Sequence, residues 1–419
     1  MMKMNEYYPR ICDRVLQNKL KITGAVLIVG PKWCGKTETA LQAAKSVLFI
    51  QENAQNKETA KIMPSLLLEG ETPRLIDEWQ DAPEVWDAVR HTVDRRKRPG
   101  QFILTGSATP SDKVKAHTGI GRISRILMRP MSLFESKESS GAISMRELFE
   151  GNQNIEAVSK LEVTQIAHSI CRGGWPGAVT FSKTEGALAR EYADIIVEED
   201  VNIVDGVERN PKRVRLVLQS LSRNISTLTT ATTILEDVRS NDMSINERTL
   251  DSYLNALRRI FIIEDVPAWS PSLRSKTTAR TSHKRQLVDP SIATAIMRID
   301  ADRLLHDMET FGFLFESLCT RDMRIYAQAN DGDIFHYRDK DNLEADLIIS
   351  LHDGRWAPVE IKLGEHRIDE AAENLVKLKN KVDTSRIGEP VFMMVLTGGK
   401  YAYKRPDGVL VVPLGCLKD

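Results

Sequence analysis

The sequence predicts an α/β protein in three consecutive parts, and three observations carry that reading. Short β-branched runs alternate with helical lengths of chain over residues 1–205, helical patterns and one hairpin pattern fill residues 206–300, and strands and helices return over residues 301–419. A chain of 419 residues also exceeds what one hydrophobic core organises, so separate domains are expected.

In the first part, "GAVLIVG" is a β-branched run that leads at once into a glycine loop and then into "KTETALQAAKSV", whose alanine and leucine spacing suits a buried helix. "VLFIQ", "RLIDE" and "QFILTGS" supply further strands separated by helical lengths, the pattern of a parallel sheet with crossover helices. In the middle part, "KRVRLVLQSLSRNI", "ATTILEDVRS" and "NERTLDSYLNALRRI" read as helices, followed by a hairpin of "FIIEDVPAW" and "KRQLVDP". Three helices and a hairpin predict a winged helix. The last part opens with an amphipathic helix, "FGFLFESLCTRDM", before strands "DIFHYRD", "EADLIIS" and "APVEIKL". Helix "IDEAAENLVKLKNKV" and strands "PVFMMVLTG" and "GVLVVPL" complete it.

Composition narrows the setting. The 58 basic and 58 acidic side chains cancel, so no global field points to nucleic acid or membrane, and charge arguments must be local. Five scattered cysteines without a CxxC pair read as reduced thiols rather than a disulfide or zinc framework. "MMKMNEYYPRICDRV" lacks the apolar core of a signal peptide, and no run approaches the ~18 apolar residues of a membrane helix. A cytoplasmic protein without a membrane partner is expected.

The stretch "LIVGPKWCGKTETAL" has the GxxxxGK[ST] spacing of a phosphate-binding loop, set between a strand and a helix as that motif requires. Such a loop curls backbone N–H groups around a phosphate and feeds a helix N-terminus that favours an anion. Gly30, Pro31, Lys32, Trp33, Cys34, Gly35, Lys36, Thr37 and Glu38 are therefore the candidate ATP or ADP contacts. Lys36 would reach the β- and γ-phosphates, and the Thr37 hydroxyl would ligate Mg²⁺. "RLIDEWQ" ends a strand in Asp77 and Glu78, the first suited to the Mg²⁺ shell and the second to polarising the attacking water, with Glu84 next in line. In "FILTGSAT", Thr105 and neighbouring Ser107 stand where a polar residue can sense the γ-phosphate, or simply turn the chain. Arg122 reads either as a charge-neutralising finger or as a structural cation, and Cys34 as a thiol open to oxidation.

"GPKWCGKT", "LIDEWQDAP", "FILTGSA", "GRISRILMRPMSLFE" and "GGWPGAV", in this order, resemble the prokaryotic AAA-type ATPases that carry a C-terminal domain of unknown function. "YADIIVEEDV", "TLDSYLNALRRIFIIEDVPAW" and "LVDPSIATAI" extend the likeness over nearly the whole chain. The resemblance implies an AAA/RecA-like ATPase domain, a winged helix and a restriction-endonuclease-like C-terminal domain. Trp33 and Cys34 depart from it, standing where many members carry a basic or small residue.

In "NLEADLIISLHDGRWAPVEIKLG", Asp346 begins one strand, while Glu360 and Lys362 lie two apart on the next and so share a face. This is the arrangement of a PD-(D/E)xK nuclease, in which carboxylates hold Mg²⁺ near a scissile phosphate and the lysine stabilises charge. The family pattern adds Glu316 as a fourth member and third acid. The same folds also serve as non-cleaving modules. Arg274, Lys276, Arg280, Lys284 and Arg285, in a stretch without acids, would track DNA phosphates as a wing, and "RRKRPG" is a second basic run that a solvated loop explains equally. Two functions therefore stand: an ATPase coupled to a DNA-associated nuclease-like domain, and a nucleotide-switched ATPase whose C-terminal domain binds a regulatory protein. The oligomeric state stays open in both.

Overall fold

A five-residue run that is apolar throughout cannot divide its side chains between core and water, so it forms a strand only where both faces of its sheet are covered. β1 (Ala25–Val29) is such a run; it pairs in parallel with β4 (Phe102–Gly106), apolar but for Thr105 and likewise buried at every position, with Ala25 opposite Phe102 and Val29 opposite Gly106. The computed structural model describes residues 7–108, 119–181, 186–203, 205–270 and 282–419. With β2 (Ser46–Phe49), β3 (Arg74–Asp77) and β5 (Ile123–Leu127) these strands form a parallel sheet of order β2-β3-β4-β1-β5. β4 thus lies between the strand that leads into the glycine loop and the strand that ends in Asp77. The expected helix after the loop is shorter than its alanine pattern suggests. It spans Lys36–Leu41, because Ser46 already starts β2.

Contacts divide the chain into two compact units that are each discontinuous in sequence. The first comprises Met1–Pro130, Ile196–Asn210 and Ser252–Ile262. Its core sets Leu27, Val29, Ile76 and Leu104 of the sheet against Trp79, Val85, Trp86 and Val89, with the two indoles 4.8 Å apart. The second comprises Met131–Ile195, Pro211–Asp251 and Ile263–Asp419.

The second unit contains a short parallel pair, β6 (Ile143–Ser144) and β14 (Leu417–Lys418), and a seven-stranded mixed sheet. That sheet has the order β7-β12-β13-β11-β10-β9-β8, from β7 (Ala157–Val158), β8 (Gly332–Arg338), β9 (Glu344–Leu351), β10 (Trp356–Lys362), β11 (Met394–Thr397), β12 (Tyr401–Lys404) and β13 (Leu410–Pro413). β8, β9 and β10 form an antiparallel meander, and the helix Ile368–Lys381 covers the parallel part through Ala371, Ala372 and Leu375.

The expected middle helices span Pro211–Arg223, Ala231–Arg239 and Glu247–Arg259. Antiparallel bridges join Ile263 to Leu287 and Val266 to Lys284, where the hairpin was expected. These elements do not stand apart as a domain of their own. The first two helices and the bridges belong to the second unit, and the third helix passes from the second unit to the first after Asp251.

One buried ion trio ties distant segments of the second unit together. Arg321, on the helix Met308–Ala329, donates to Asp289 at 2.9 Å and to Asp322 at 2.8 Å, and all three side chains are at most 2% exposed. Asp322 also accepts from the Leu133 N–H at 2.9 Å, and Asp289 accepts from Gly174 N–H at 3.0 Å while capping the helix Pro290–Met297. Removing the shared cation strands two buried carboxylates. Arg321→Ala should therefore lose about 3–5 kcal/mol of stability, read as a lowered urea midpoint; an unchanged midpoint would mean the trio carries no net stability.

Candidate functional site

The glycine loop leaves β1 at Val29, and its backbone explains its residues. A Cβ on Gly30 would lie 2.1 Å from the Met128 carbonyl oxygen, and Gly35 takes φ 98°, so neither position accepts a side chain without strain. Trp33 is left-handed at φ 63°, a conformation that costs a non-glycine residue energy, and is 40% exposed. Cys34 points the other way. Its thiol is fully buried against the Met128 carbonyl, and burial pushes it up, so the expected oxidation-prone thiol is instead a packed and unreactive one.

Lys36 is buried and donates to the carbonyls of Gly30 at 3.1 Å and Pro31 at 2.8 Å, lying along the concave side of its own loop. Thr37 and Thr105 both donate to one oxygen of Asp77, at 2.8 and 2.6 Å, while the Glu78 N–H donates to Thr105 Oγ1 at 3.1 Å. The ends of β3 and β4 and the first helical turn after the loop thus meet at one carboxylate. Glu78, left-handed at φ 52°, turns its carboxylate to the Ser107 N–H at 3.2 Å and hydroxyl at 3.0 Å, with Gln80 Nε2 as a further donor. Glu38 is exposed, in the first turn of the helix. Arg122 donates to Asp94 at 2.9 Å on the exposed surface of the same unit.

Two residues of this neighbourhood escaped the sequence reading. Asp200, on a single π-helical turn Ile196–Asp200, is buried and accepts from Lys32 of the loop at 2.5 Å; burial raises its carboxyl despite that cation. Arg10 donates to the Cys34 carbonyl at 2.7 Å and to the Arg129 carbonyl at 2.8 Å, bracing the loop from behind. Neither carries a spacing signal, since both act from segments remote in sequence.

In the second unit, β9 and β10 run antiparallel with Val359 opposite Leu347, which brings Asp346 beside Glu360 one step along. Lys362 donates to Glu360 Oε2 at 2.6 Å and to Asp346 Oδ2 at 3.3 Å, and the Ile361 N–H donates to the same Asp346 oxygen at 2.8 Å. Glu316 arrives from the helix Met308–Ala329. The four residues expected together do converge, but a fifth joins them. Lys284 Nζ donates to Glu316 Oε1 at 2.7 Å and to Asp346 Oδ1 at 3.2 Å. Lys284 is therefore no wing cation: it is buried, and Arg285 likewise turns inward to Asp265 at 2.7 Å. Arg274, Lys276 and Arg280 lie outside the described residues.

Burial pushes the Glu316 carboxyl up to about 7 and lifts Glu360 well above its usual range. Burial acts on Asp346 in the same sense, but Lys284 and Lys362 outweigh it and hold that carboxyl well below its usual range. A cleft of about 250 Å³ opens at Lys284, Glu316 and Asp346, with His336 drawn down to about 4 by burial on its wall. Among the described residues, no group of three or more His, Cys, Asp or Glu side chains stands in a metal-holding arrangement.

Comparison with known proteins assigns part of this. Residues 23–137 match an AAA domain, 163–303 a domain of unknown function (DUF8612) and 311–417 another (DUF4143). The loop, Asp77, Glu78 and Thr105 thus lie in the segment that matches an AAA domain. The chain is 24% identical over 357 residues to uncharacterized protein Rv2008c of Mycobacterium tuberculosis and to Mb2031c of Mycobacterium bovis, covering 83% of this chain and 72% of each relative. Among solved structures it is similar to the Walker-type ATPase PABY2304 of Pyrococcus abyssi, at 15% identity and a TM-score of 0.44, over 71% of this chain and 97% of that one. It is also similar to a STAND signal-transduction ATPase, PH0952 of Pyrococcus horikoshii, at 14% identity and a TM-score of 0.26, over 78% and 52%. No helix among the described residues is long and apolar enough to cross a membrane.

Because the Lys36 ammonium is lodged against the Gly30 and Pro31 carbonyls of the loop, Lys36→Ala should weaken ATP binding by at least about tenfold, a loss on the scale of one charge-assisted contact. Titration calorimetry reads this directly, and undiminished affinity would remove the loop from the nucleotide site.

Proposed function

We propose that the chain binds ATP with Mg²⁺ and hydrolyses it, using the first unit as a nucleotide-operated switch. The observation that carries this reading is the meeting of Thr37, Asp77 and Thr105 at one carboxylate beside the loop. The donor set fits magnesium, which takes hydroxyl, carboxylate and water oxygens. Bound there, Mg²⁺ would neutralise charge developing on the β- and γ-phosphate oxygens. Thr37 and Asp77 would hold it, and Lys36 would exchange its two loop carbonyls for phosphate oxygens. Thr105 ties Asp77 to the Glu78 backbone, so a change in the Asp77 environment reaches Glu78 through one side chain.

Glu78 is the group suited to orient and deprotonate the attacking water. Its carboxylate is engaged by Ser107 and Gln80, and it must leave them to act. Those donors are neutral but the acceptor is a carboxylate, so the exchange costs about 1.5–3 kcal/mol per bond before the water and nucleotide contacts that replace them.

For the C-terminal part, a nuclease-like, DNA-associated role is supported by the convergence of Glu316, Asp346, Glu360 and Lys362. The other reading, a module that binds a regulatory protein and cuts nothing, is favoured by the second lysine. The acids that would hold metal are already engaged by ammonium groups.

Glu78→Gln should retain ATP affinity while steady-state hydrolysis falls by roughly 10²-fold or more, the usual contribution of a positioned base. Hydrolysis at the parental rate would move the role to another carboxylate, Glu84 first.

A further inference from the structure

We propose that Lys284 is the resident cation of the Glu316–Asp346 pair and that its ammonium keeps divalent metal out of the acid cluster. The oxygens around Lys284 Nζ come from separate elements, as they do around a bound ion: Glu316 Oε1 from a helix at 2.7 Å, and Asp346 Oδ1 and the Asp346 carbonyl from β9 at 3.2 and 3.4 Å. Mg²⁺ or Mn²⁺ would need these carboxylate oxygens at about 2.0–2.1 Å. A metal held that closely and an ammonium at its present distance would be two cations within one contact sphere.

The position of Lys284 is built rather than incidental. Val266 and Lys284 exchange both backbone hydrogen bonds, each at 2.9 Å, so the lysine backbone is fixed in a closed antiparallel pair. Its side chain then runs, buried, into the cluster.

Lys362 completes the exclusion from the other side. It takes Asp346 Oδ2 and Glu360 Oε2, leaving Glu360 Oε1 as a buried carboxylate oxygen with no hydrogen-bond partner. Three carboxyl groups against two ammonium groups leave a formal charge of minus one at most, whereas the same three acids with Lys362 alone would present minus two. A divalent ion entering beside both lysines would invert that sign in a water-poor site, where like charges repel strongly. Metal can enter only if Lys284 departs. The inference concerns the second unit alone and does not rest on ATP hydrolysis by the first.

The test is Mn²⁺ binding to the nucleotide-free full chain, read from the loss of the free-ion paramagnetic resonance signal. Parent, Glu316→Gln, Lys284→Met and the double variant Lys284→Met/Glu316→Gln are compared, with circular dichroism checking the fold. Any Mn²⁺ bound at the nucleotide loop contributes equally to all four and cancels. The parent and Glu316→Gln should bind Mn²⁺ identically, and Lys284→Met should gain one site per chain that the double variant loses. A site in the parent that Glu316→Gln abolishes would overturn the proposal, and so would a folded Lys284→Met chain that gains none. If Lys284→Met fails to fold, the parent and Glu316→Gln still decide: identical titrations support exclusion, and a Glu316-dependent site refutes it.

Discussion

A carboxylate removed from water must be met by a cation or by hydrogen-bond donors, and the trio of Asp289, Arg321 and Asp322 shows how far that constraint shapes this chain. Arg321 cannot leave its place without stranding two acids, and those acids in turn hold the backbone N–H groups of Leu133 and Gly174. Three stretches that look like unrelated motifs in the sequence, "RPMSLFE", "GGWPGAV" and "LVDPSIATAI", are therefore parts of one buried structure. Glycine at 174 follows from the same crowding, since a Cβ there would lie 2.2 Å from the Met131 carbonyl oxygen. The same rule recurs where Lys32 meets buried Asp200, and again where Lys284 meets Glu316 and Asp346.

Periodicity made the strands legible because their burial is uniform. β1 and β4 are buried at every position, and β9 and β10 nearly so, which leaves a strand between covered faces as the way to bury their apolar residues. β12 was missed for the converse reason: only Ala402 of its four residues is buried, so "YAYK" reads as a polar turn. The glycine loop and the acids at the end of β3 were also legible, because their chemistry is carried by spacing within one segment. Asp200, Arg10 and Lys284 were not, since each reaches its partners across a large sequence separation. Lys284 in particular sits in a stretch without acids, and its partners on the helix Met308–Ala329 and on β9 come to it only through the fold. A basic run that looks like a phosphate track can thus hold a buried counter-ion.

The two acidic sites differ in how firmly their carboxylates are held, and that difference bears on what each can do. Glu78 is engaged by a backbone N–H, a hydroxyl and an amide, neutral donors to a charged acceptor, each contributing about 1.5–3 kcal/mol. Nucleotide bound at micromolar affinity corresponds to about 8 kcal/mol, on the scale of those bonds together, so contacts made only with Glu78 re-aimed are what would move it. Asp346 and Glu316 are engaged by a buried ammonium, and breaking a buried pair costs about 3–5 kcal/mol while leaving the separated charges unsolvated. A dilute divalent ion that must also shed water has less to offer against that cost. On the proposed reading the first site is one that a ligand switches, whereas the acids of the second are already engaged by its own lysines.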